Sequence, residues 1–242
     1  MSRRTTAIAA ALSLLALGSP LITGCTNILS NQYLGQGVEK YEEGNYQGAI
    51  ADYTRAIEID PQSSASYYNR GLAKYHIEDL QGAIADFTKA IEINPQYADA
   101  FVNRGNSKDE LKDYQGAIAD FSKAIEIDHQ DAIAYYNRGN AKADLDDYQG
   151  AIADYNKSIE IDPQNVMAYY NRGNAKGNLK DLQGAIDDYT KAIEINPQYA
   201  VAYANRGIAR ELTNDLKGAC QDWRKAAELG LEQPAEWVKE QC

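Results

Sequence analysis

The sequence of 242 residues predicts an all-α solenoid made of six helix-turn-helix repeats and a C-terminal capping helix. The first observation behind this prediction is a period of 34 residues, because Asn-Arg-Gly recurs at 69–71, 103–105, 137–139, 171–173 and 205–207. The second is the helical spacing of apolar and small residues inside each copy. The third is the fixed place of the residues that begin and end helices. Since one copy cannot bury its apolar face alone, the copies must stack.

The first 24 residues are predicted to be an export signal. Two arginines precede an apolar run at 7–17, which is too short to be a comfortable membrane span. The following Leu-Ile-Thr-Gly-Cys at 21–25 resembles the lipobox of bacterial lipoproteins. The resemblance implies that Cys25 becomes the lipidated N-terminus, with a short tether at 25–29, so that the chain is anchored in the cell envelope on the periplasmic side or at the cell surface. The alternative is an ordinary signal peptide with a chance cysteine near its cleavage site.

Each copy contains the residues that two helices and a turn require. Tyr67 and Gly71 have helical spacing on the first segment, and Phe87 shares a face with two alanines on the second. Asp79 precedes the second segment and can cap it, and Pro95 follows that segment and cannot continue it. The predicted repeats are 30–63, 64–97, 98–131, 132–165, 166–199 and 200–233.

The C-terminal residues 234–242 are predicted to form the capping helix that a solenoid needs. Pro234 suits the first turn of a helix, and Ala235, Val238 and Cys242 share one face. Cys220, in the last repeat, and Cys242 form an even pair of cysteines in an exported chain once Cys25 is lipidated. We predict a disulfide between Cys220 and Cys242; two buried free thiols are the alternative.

The repeat resembles the tetratricopeptide repeat (TPR) family. In positions numbered 1–34 within each copy, Gly stands at position 8 and Ala at position 20 throughout, and an aromatic residue stands at position 24. Pro is common at position 32, although His129 and Leu231 replace it in two copies. The resemblance implies a concave face lined mainly by first helices. It also implies that the partners are peptide segments or whole proteins.

Composition excludes several classes of function. The formal net charge is −11, from 24 Lys and Arg against 35 Asp and Glu, which argues against a nucleic-acid partner. Only two histidines are present, His76 and His129, and both are predicted to be surface or turn residues. No phosphate loop, metal motif or nucleophile motif is found in the sequence. We therefore expect no catalytic residues, no cofactor and no metal, and a chain that is not an enzyme.

Charged residues also follow the repeat. Asp occupies position 23 of every copy, Arg occupies position 7 of five copies, and Lys or Arg occupies position 11. Carboxylates of second helices are expected to pair with cations of neighbouring first helices, because Arg binds a carboxylate through two parallel hydrogen bonds. A row of ion-binding sites is the alternative interpretation.

A stripe of amides predicts the binding surface. Positions 2, 6, 9 and 13 of a first helix share one face, and the TPR resemblance places this stripe and position 5 on the concave surface. Amides both donate and accept hydrogen bonds, so a row of them can pair with the backbone of an extended peptide, and tyrosines add apolar contact. The predicted groove residues are Tyr68, Asn69, Asn103, Asn106, Tyr136, Asn137, Asn140, Tyr170, Asn171, Asn174 and Asn205.

Two further points follow from this stripe. It resembles the asparagine ladders of some peptide-binding TPR proteins, and it carries Asp99, Glu110 and Asp144, so a basic or neutral partner is preferred. The alternative is that the position-6 asparagines only satisfy neighbouring helix backbones.

Together these features predict a protein-binding scaffold or adaptor that is exported and lipid-anchored. A chaperone-like assembly factor at the membrane and a non-catalytic regulatory subunit of an envelope enzyme are the alternatives.

Overall fold

The computed structural model describes residues 20–242, with side chains at 28–239 and at Cys242. The predicted signal peptide therefore lies mostly outside the described residues. Thirteen α-helices and no strands are found within the described part, which confirms the all-α helix-turn-helix prediction. The helices are α1 Pro20–Glu42, α2 Tyr46–Ile59, α3 Ser64–His76, α4 Leu80–Ile93, α5 Ala98–Glu110, α6 Tyr114–Ile127, α7 Ala132–Ala143, α8 Tyr148–Ile161, α9 Val166–Asn178, α10 Leu182–Ile195, α11 Ala200–Leu212, α12 Leu216–Glu228 and α13 Glu232–Gln241.

The chain forms two compact units. The N-terminal unit ends at Pro95 and the C-terminal unit begins at Gln96. Within each unit, the two helices of a repeat pack as an antiparallel pair joined by a short turn. The predicted tether at 25–29 lies inside α1, so its backbone is helical. None of the helices within residues 20–242 combines the length and the apolar character of a membrane span.

Second helices begin at side-chain caps, as the sequence predicts. Asp79 Oδ1 accepts a hydrogen bond from the amide of Gly82 at 3.0 Å, and Asp147 does the same for Gly150. A Cβ at Gly150 would lie 2.1 Å from Asp147 Oδ2, so the capping carboxylate leaves room only for glycine. Pro95 follows the end of α4, as expected for a residue that cannot continue a helix.

The repeated spacing of the glycine at position 8 and the aromatic residue at position 24 fixes how closely the two helices of a repeat approach. A Cβ at Gly139 would lie 2.7 Å from Cε1 of Tyr155, whose side chain is buried. Each ring of this type therefore fills the space that the missing methyl group leaves. The turn that follows each first helix contains a residue in the left-handed region: Gly44, Glu78, Lys112, Asp146, Lys180 and Asn214.

The C-terminal end is closed by α13, which packs on α12. The rings of Trp223 and Trp237 are 5.4 Å apart, and Cys220 and Cys242 form a disulfide with Cα atoms 5.8 Å apart. The helix begins two residues before Pro234, which is tolerated because the amides of a first turn have no partner inside the helix.

Candidate functional site

Clusters of one carboxylate and two cations hold the two helices of a repeat together. Asp154 on α8 accepts two hydrogen bonds from Arg138 at 2.6 and 2.9 Å, and Lys142 lies 2.7 Å from its second oxygen. Arg138 also donates to Ser122 of the preceding repeat at 3.0 Å. Equivalent clusters surround Asp86, Asp120, Asp188 and Asp222.

This arrangement confirms the pairing expected from the sequence. The carboxylates are already bound to cations, and no group of side chains suited to a metal ion occurs in the part of the chain that the structure describes. Both histidines are exposed, as predicted, and His76 stacks on Tyr46 with ring centroids 4.7 Å apart.

The candidate site is a hydrogen-bond network in the C-terminal unit that joins asparagines and tyrosines of first helices to one tyrosine on each of two second helices. Asn171 Nδ2 donates to Asn140 Oδ1 at 2.9 Å and to the hydroxyl of Tyr136 at 3.0 Å. The hydroxyl of Tyr155 donates to the same Asn140 oxygen at 2.8 Å. One repeat further along, the same three hydrogen bonds join Tyr170, Asn174, Tyr189 and Asn205. We call these eight residues the tyrosine–asparagine network.

The network orients the amides that belong to it. Asn171 uses both of its N–H bonds, so its carbonyl oxygen is left as an acceptor. Asn140 accepts two hydrogen bonds through its oxygen, so its N–H groups are left as donors. Burial raises the pKa of the Tyr155 and Tyr189 hydroxyls well above the usual value, which keeps both protonated as donors. Each step of the network therefore presents one amide donor group and one carbonyl acceptor.

The other predicted amides behave differently. Asn137 Nδ2 donates to Asn106 Oδ1 at 2.9 Å, but position 24 of that repeat is Phe121, which has no hydroxyl to add. Asn103 and Asn69 each donate to the backbone of their own helix, at 2.9 and 3.0 Å. Asn69 follows the alternative interpretation, except that the backbone it satisfies belongs to its own helix and not to a neighbour.

In the N-terminal unit, Tyr68 packs against Phe87, with ring centroids 5.8 Å apart.

Two cavities flank the network. The first, of about 370 Å³, is lined by Asn140, Asn171 and Asn174 together with Asp109 and Asp144. We call it the acidic cavity. The second, of about 460 Å³, adds Leu182, Ile208 and Leu212 to Asn174 and Asn205. We call it the apolar cavity. Both lie inside the C-terminal unit, in successive spaces between neighbouring repeats.

Asp109 is the residue that the sequence analysis missed. Its Oδ1 atom is buried and has no hydrogen-bond partner among the described residues. Burial, together with the charges of Asp144 and Glu110, raises the pKa of the Asp109 carboxyl to about 6. The signal available in the sequence was weak, because Asp109 stands at position 12, beside the stripe and not on it.

Comparison with known families identifies the repeat. A TPR repeat profile matches residues 37–77, 110–146 and 139–180, and a tetratricopeptide repeat profile matches 64–97 and 166–199. These matches cover more than half of the chain. The chain belongs to the tetratricopeptide repeat family. A sequence search of the curated proteins finds no match.

Several solved structures share the fold. MamA is 28% identical, with a TM-score of 0.64, covering 69% of this chain and 96% of that one. YrrB, a TPR protein with an unusual peptide-binding site, is 22% identical with a TM-score of 0.67, covering 78% of this chain and 97% of its own. PilW, a widely conserved type IV pilus biogenesis factor, is 19% identical with a TM-score of 0.74, covering 87% and 98%.

Proposed function

We propose that this TPR protein is an adaptor that holds an extended peptide segment of a partner protein on the first-helix face of its C-terminal unit. The role proposed is binding and not catalysis. The tyrosine–asparagine network is the single observation that carries the proposal. It supports an extended partner because it offers an amide donor and a carbonyl acceptor at each of two successive contacts between repeats, and an extended backbone requires both.

The arrangement is independent of the side chains of the partner. Amide groups that are already fixed by hydrogen bonds lose little freedom on binding, so the network is preorganised for its ligand. Tyr136 and Tyr170 lie beside the amides and offer apolar ring surface. The peptide-binding site of YrrB, which shares this fold, is consistent with such a role.

We further propose that the chain is exported and anchored to a membrane of the cell envelope through acyl chains on Cys25. The charged start, the short apolar run and the residues Ile22-Thr23-Gly24 before the cysteine support this proposal. A stable anchor requires two or more acyl chains. PilW, a pilus biogenesis factor of the same fold, is consistent with a place in the envelope.

The binding proposal is tested with short random peptides displayed on phage and selected against the full chain. We expect peptides that bind the wild type and lose about tenfold or more in affinity on Asn140→Ala/Asn174→Ala, which removes two amide donors. Asn103→Ala is the control, because this amide stands on the same stripe, at position 6 of its repeat, but is not among the eight residues of the network. Equal affinity of wild type and double variant, with folding checked by circular dichroism, refutes the proposal.

The anchor is tested by the intact mass of protein extracted from membranes. We expect cleavage before Cys25 and added acyl mass. A Cys25→Ala protein that is processed normally and stays on membranes contradicts the anchor without affecting the binding proposal.

A further inference from the structure

We infer that the two cavities bind side chains of the bound segment and thereby select its sequence. The acidic cavity binds an arginine or lysine side chain, and the apolar cavity binds an aliphatic or aromatic one. This inference rests on the proposed peptide binding and specifies the chemistry of the segment. The acidic residues of the stripe predict only a general preference for basic partners. The structure assigns the basic side chain to the acidic cavity and a neighbouring apolar side chain to the apolar cavity.

The acidic cavity has the size and the charge for a cationic group. It contains about 370 Å³ and is lined by Asp109, Asp144 and three network asparagines. None of the described residues that line it carries a positive charge. The nearby cations of the repeats are bound elsewhere, as Lys108 is to Asp120 and Lys142 is to Asp154.

The state of Asp109 indicates a missing partner. A buried carboxylate oxygen without a hydrogen bond costs free energy, and native proteins rarely keep one. The raised pKa of its carboxyl has the same cause, since burial and two acidic neighbours act on it with no cation to offset them. A guanidinium or ammonium group in the cavity would supply that partner, and a guanidinium would bind a carboxylate through two hydrogen bonds.

The asparagines in the same cavity suit the main chain that carries such a side chain. Asn140 and Asn174 offer amide donors, which pair with peptide carbonyls. Asn171 offers a carbonyl acceptor, which pairs with a peptide N–H. The asparagines of the cavity are therefore expected to bind the backbone of the peptide, and the two aspartates its cationic side chain.

The apolar cavity lies one repeat further along and shares Asn174 with the acidic cavity. Leu182, Ile208 and Leu212 line it, and the latter two side chains are exposed on its wall. Neighbouring packed helices lie about 10 Å apart, which an extended chain spans in about three residues. A bound segment is therefore expected to carry its basic and its apolar residue about two or three positions apart.

The test uses peptides selected from the displayed library on the full chain, resynthesised with citrulline in place of arginine. Citrulline keeps the shape of the side chain and removes its charge. We expect a basic residue to be enriched two or three positions from an apolar one, and the exchange to citrulline to weaken binding by about tenfold. On Asp109→Asn/Asp144→Asn the arginine and citrulline peptides are expected to bind equally.

Two controls keep the result interpretable. Asp187→Asn removes one negative charge from an exposed site on α10 outside both cavities, and it should preserve the preference for arginine. Asp144→Asn alone changes an exposed side chain and should reduce that preference without disturbing the fold.

Peptides that bind the tyrosine–asparagine network with no preference between arginine and citrulline overturn this inference and leave the proposed function standing. A library that yields no binding peptide at all overturns both.

Discussion

Replacing Gly139 by Ala tests how the repeats hold the network in place. The new Cβ would lie 2.7, 2.9 and 3.2 Å from Cε1, Cδ1 and Cζ of Tyr155, whereas ordinary contacts begin at 3.4 Å. The ring is only 1% exposed, so it cannot swing into solvent. Overpacking of this kind costs about 3 kcal/mol at the upper end of its range, and replacing a helical glycine by alanine returns about 1 kcal/mol. We therefore expect a net loss of about 2 kcal/mol.

The assay is equilibrium unfolding in urea, followed by circular dichroism. Gly177→Ala is the matched control, because its Cβ would lie 4.0 Å from the Ala185 Cβ, an ordinary contact. That variant should be unchanged or more stable by about 0.5 kcal/mol, since its helix ends one residue later. A Gly139→Ala protein as stable as the wild type would refute the reasoning, because the ring would then have room that the structure does not give it.

Three further predictions concern charge and the C-terminal end. Asp154→Asn should lower the free energy of unfolding in urea by about 3 kcal/mol, since it leaves Arg138 and Lys142 without their buried carboxylate. Glu160→Gln is the control, because it breaks the exposed ion pair with Lys157 and should have no measurable effect. The free energy of unfolding of the wild type should fall as the pH rises from about 4 to about 6, and Asp109→Asn should abolish this fall. Because the pKa of Asp109 is raised in the folded state, the folded state holds a proton that the unfolded state has lost, and wild-type stability drops as rising pH removes that proton. The variant should be more stable than the wild type by about 1 kcal/mol at pH 7, after a reduction for solvent screening. Parallel curves of stability against pH for the two proteins would contradict this. Cys242→Ser breaks the disulfide to Cys220 and should lower the free energy of unfolding by about 3 kcal/mol, because the loop between the two residues is no longer closed. It should also remove hydrogen-exchange protection from α13. Unchanged protection would show that the packing of Trp237 on Trp223 is sufficient to hold the helix.

Helix positions and repeat packing could be predicted because they depend on short-range residue patterns. The cap of Asp79 on Gly82, the stop at Pro95 and the contact of glycine with aromatic ring in each copy all follow from spacing within one repeat. The left-handed turn residues were not predictable in this way. Gly44, Asp146 and Asn214 belong to residue types that adopt this conformation readily, whereas Glu78, Lys112 and Lys180 adopt it although their side chains do not favour it.

The candidate site could be predicted only in part, because its contacts join neighbouring repeats. All position-6 asparagines look equivalent in the sequence, but Asn171 and Asn205 join the network and Asn103 does not. The difference depends on position 9 of the preceding repeat, where Asn140 and Asn174 accept the hydrogen bonds of Asn171 and Asn205, whereas Leu72 stands at that position before Asn103. That substitution was visible in the sequence and could have identified the network. The position of Asp109 could not be predicted, because the cavity that it lines is formed with residues of the next two repeats and not by spacing within one repeat.

The central claim, that the tyrosine–asparagine network binds the backbone of an extended peptide, is tested most directly by the side-chain amide resonances of asparagine in nuclear magnetic resonance spectra. These resonances can be assigned from the alanine variants of Asn140, Asn174 and Asn103. On addition of a selected peptide we expect the NH₂ signals of Asn140 and Asn174 to shift in step with occupancy, while that of Asn103, which bonds to its own helix, stays in place. Binding that leaves the Asn140 and Asn174 signals unmoved would contradict the claim.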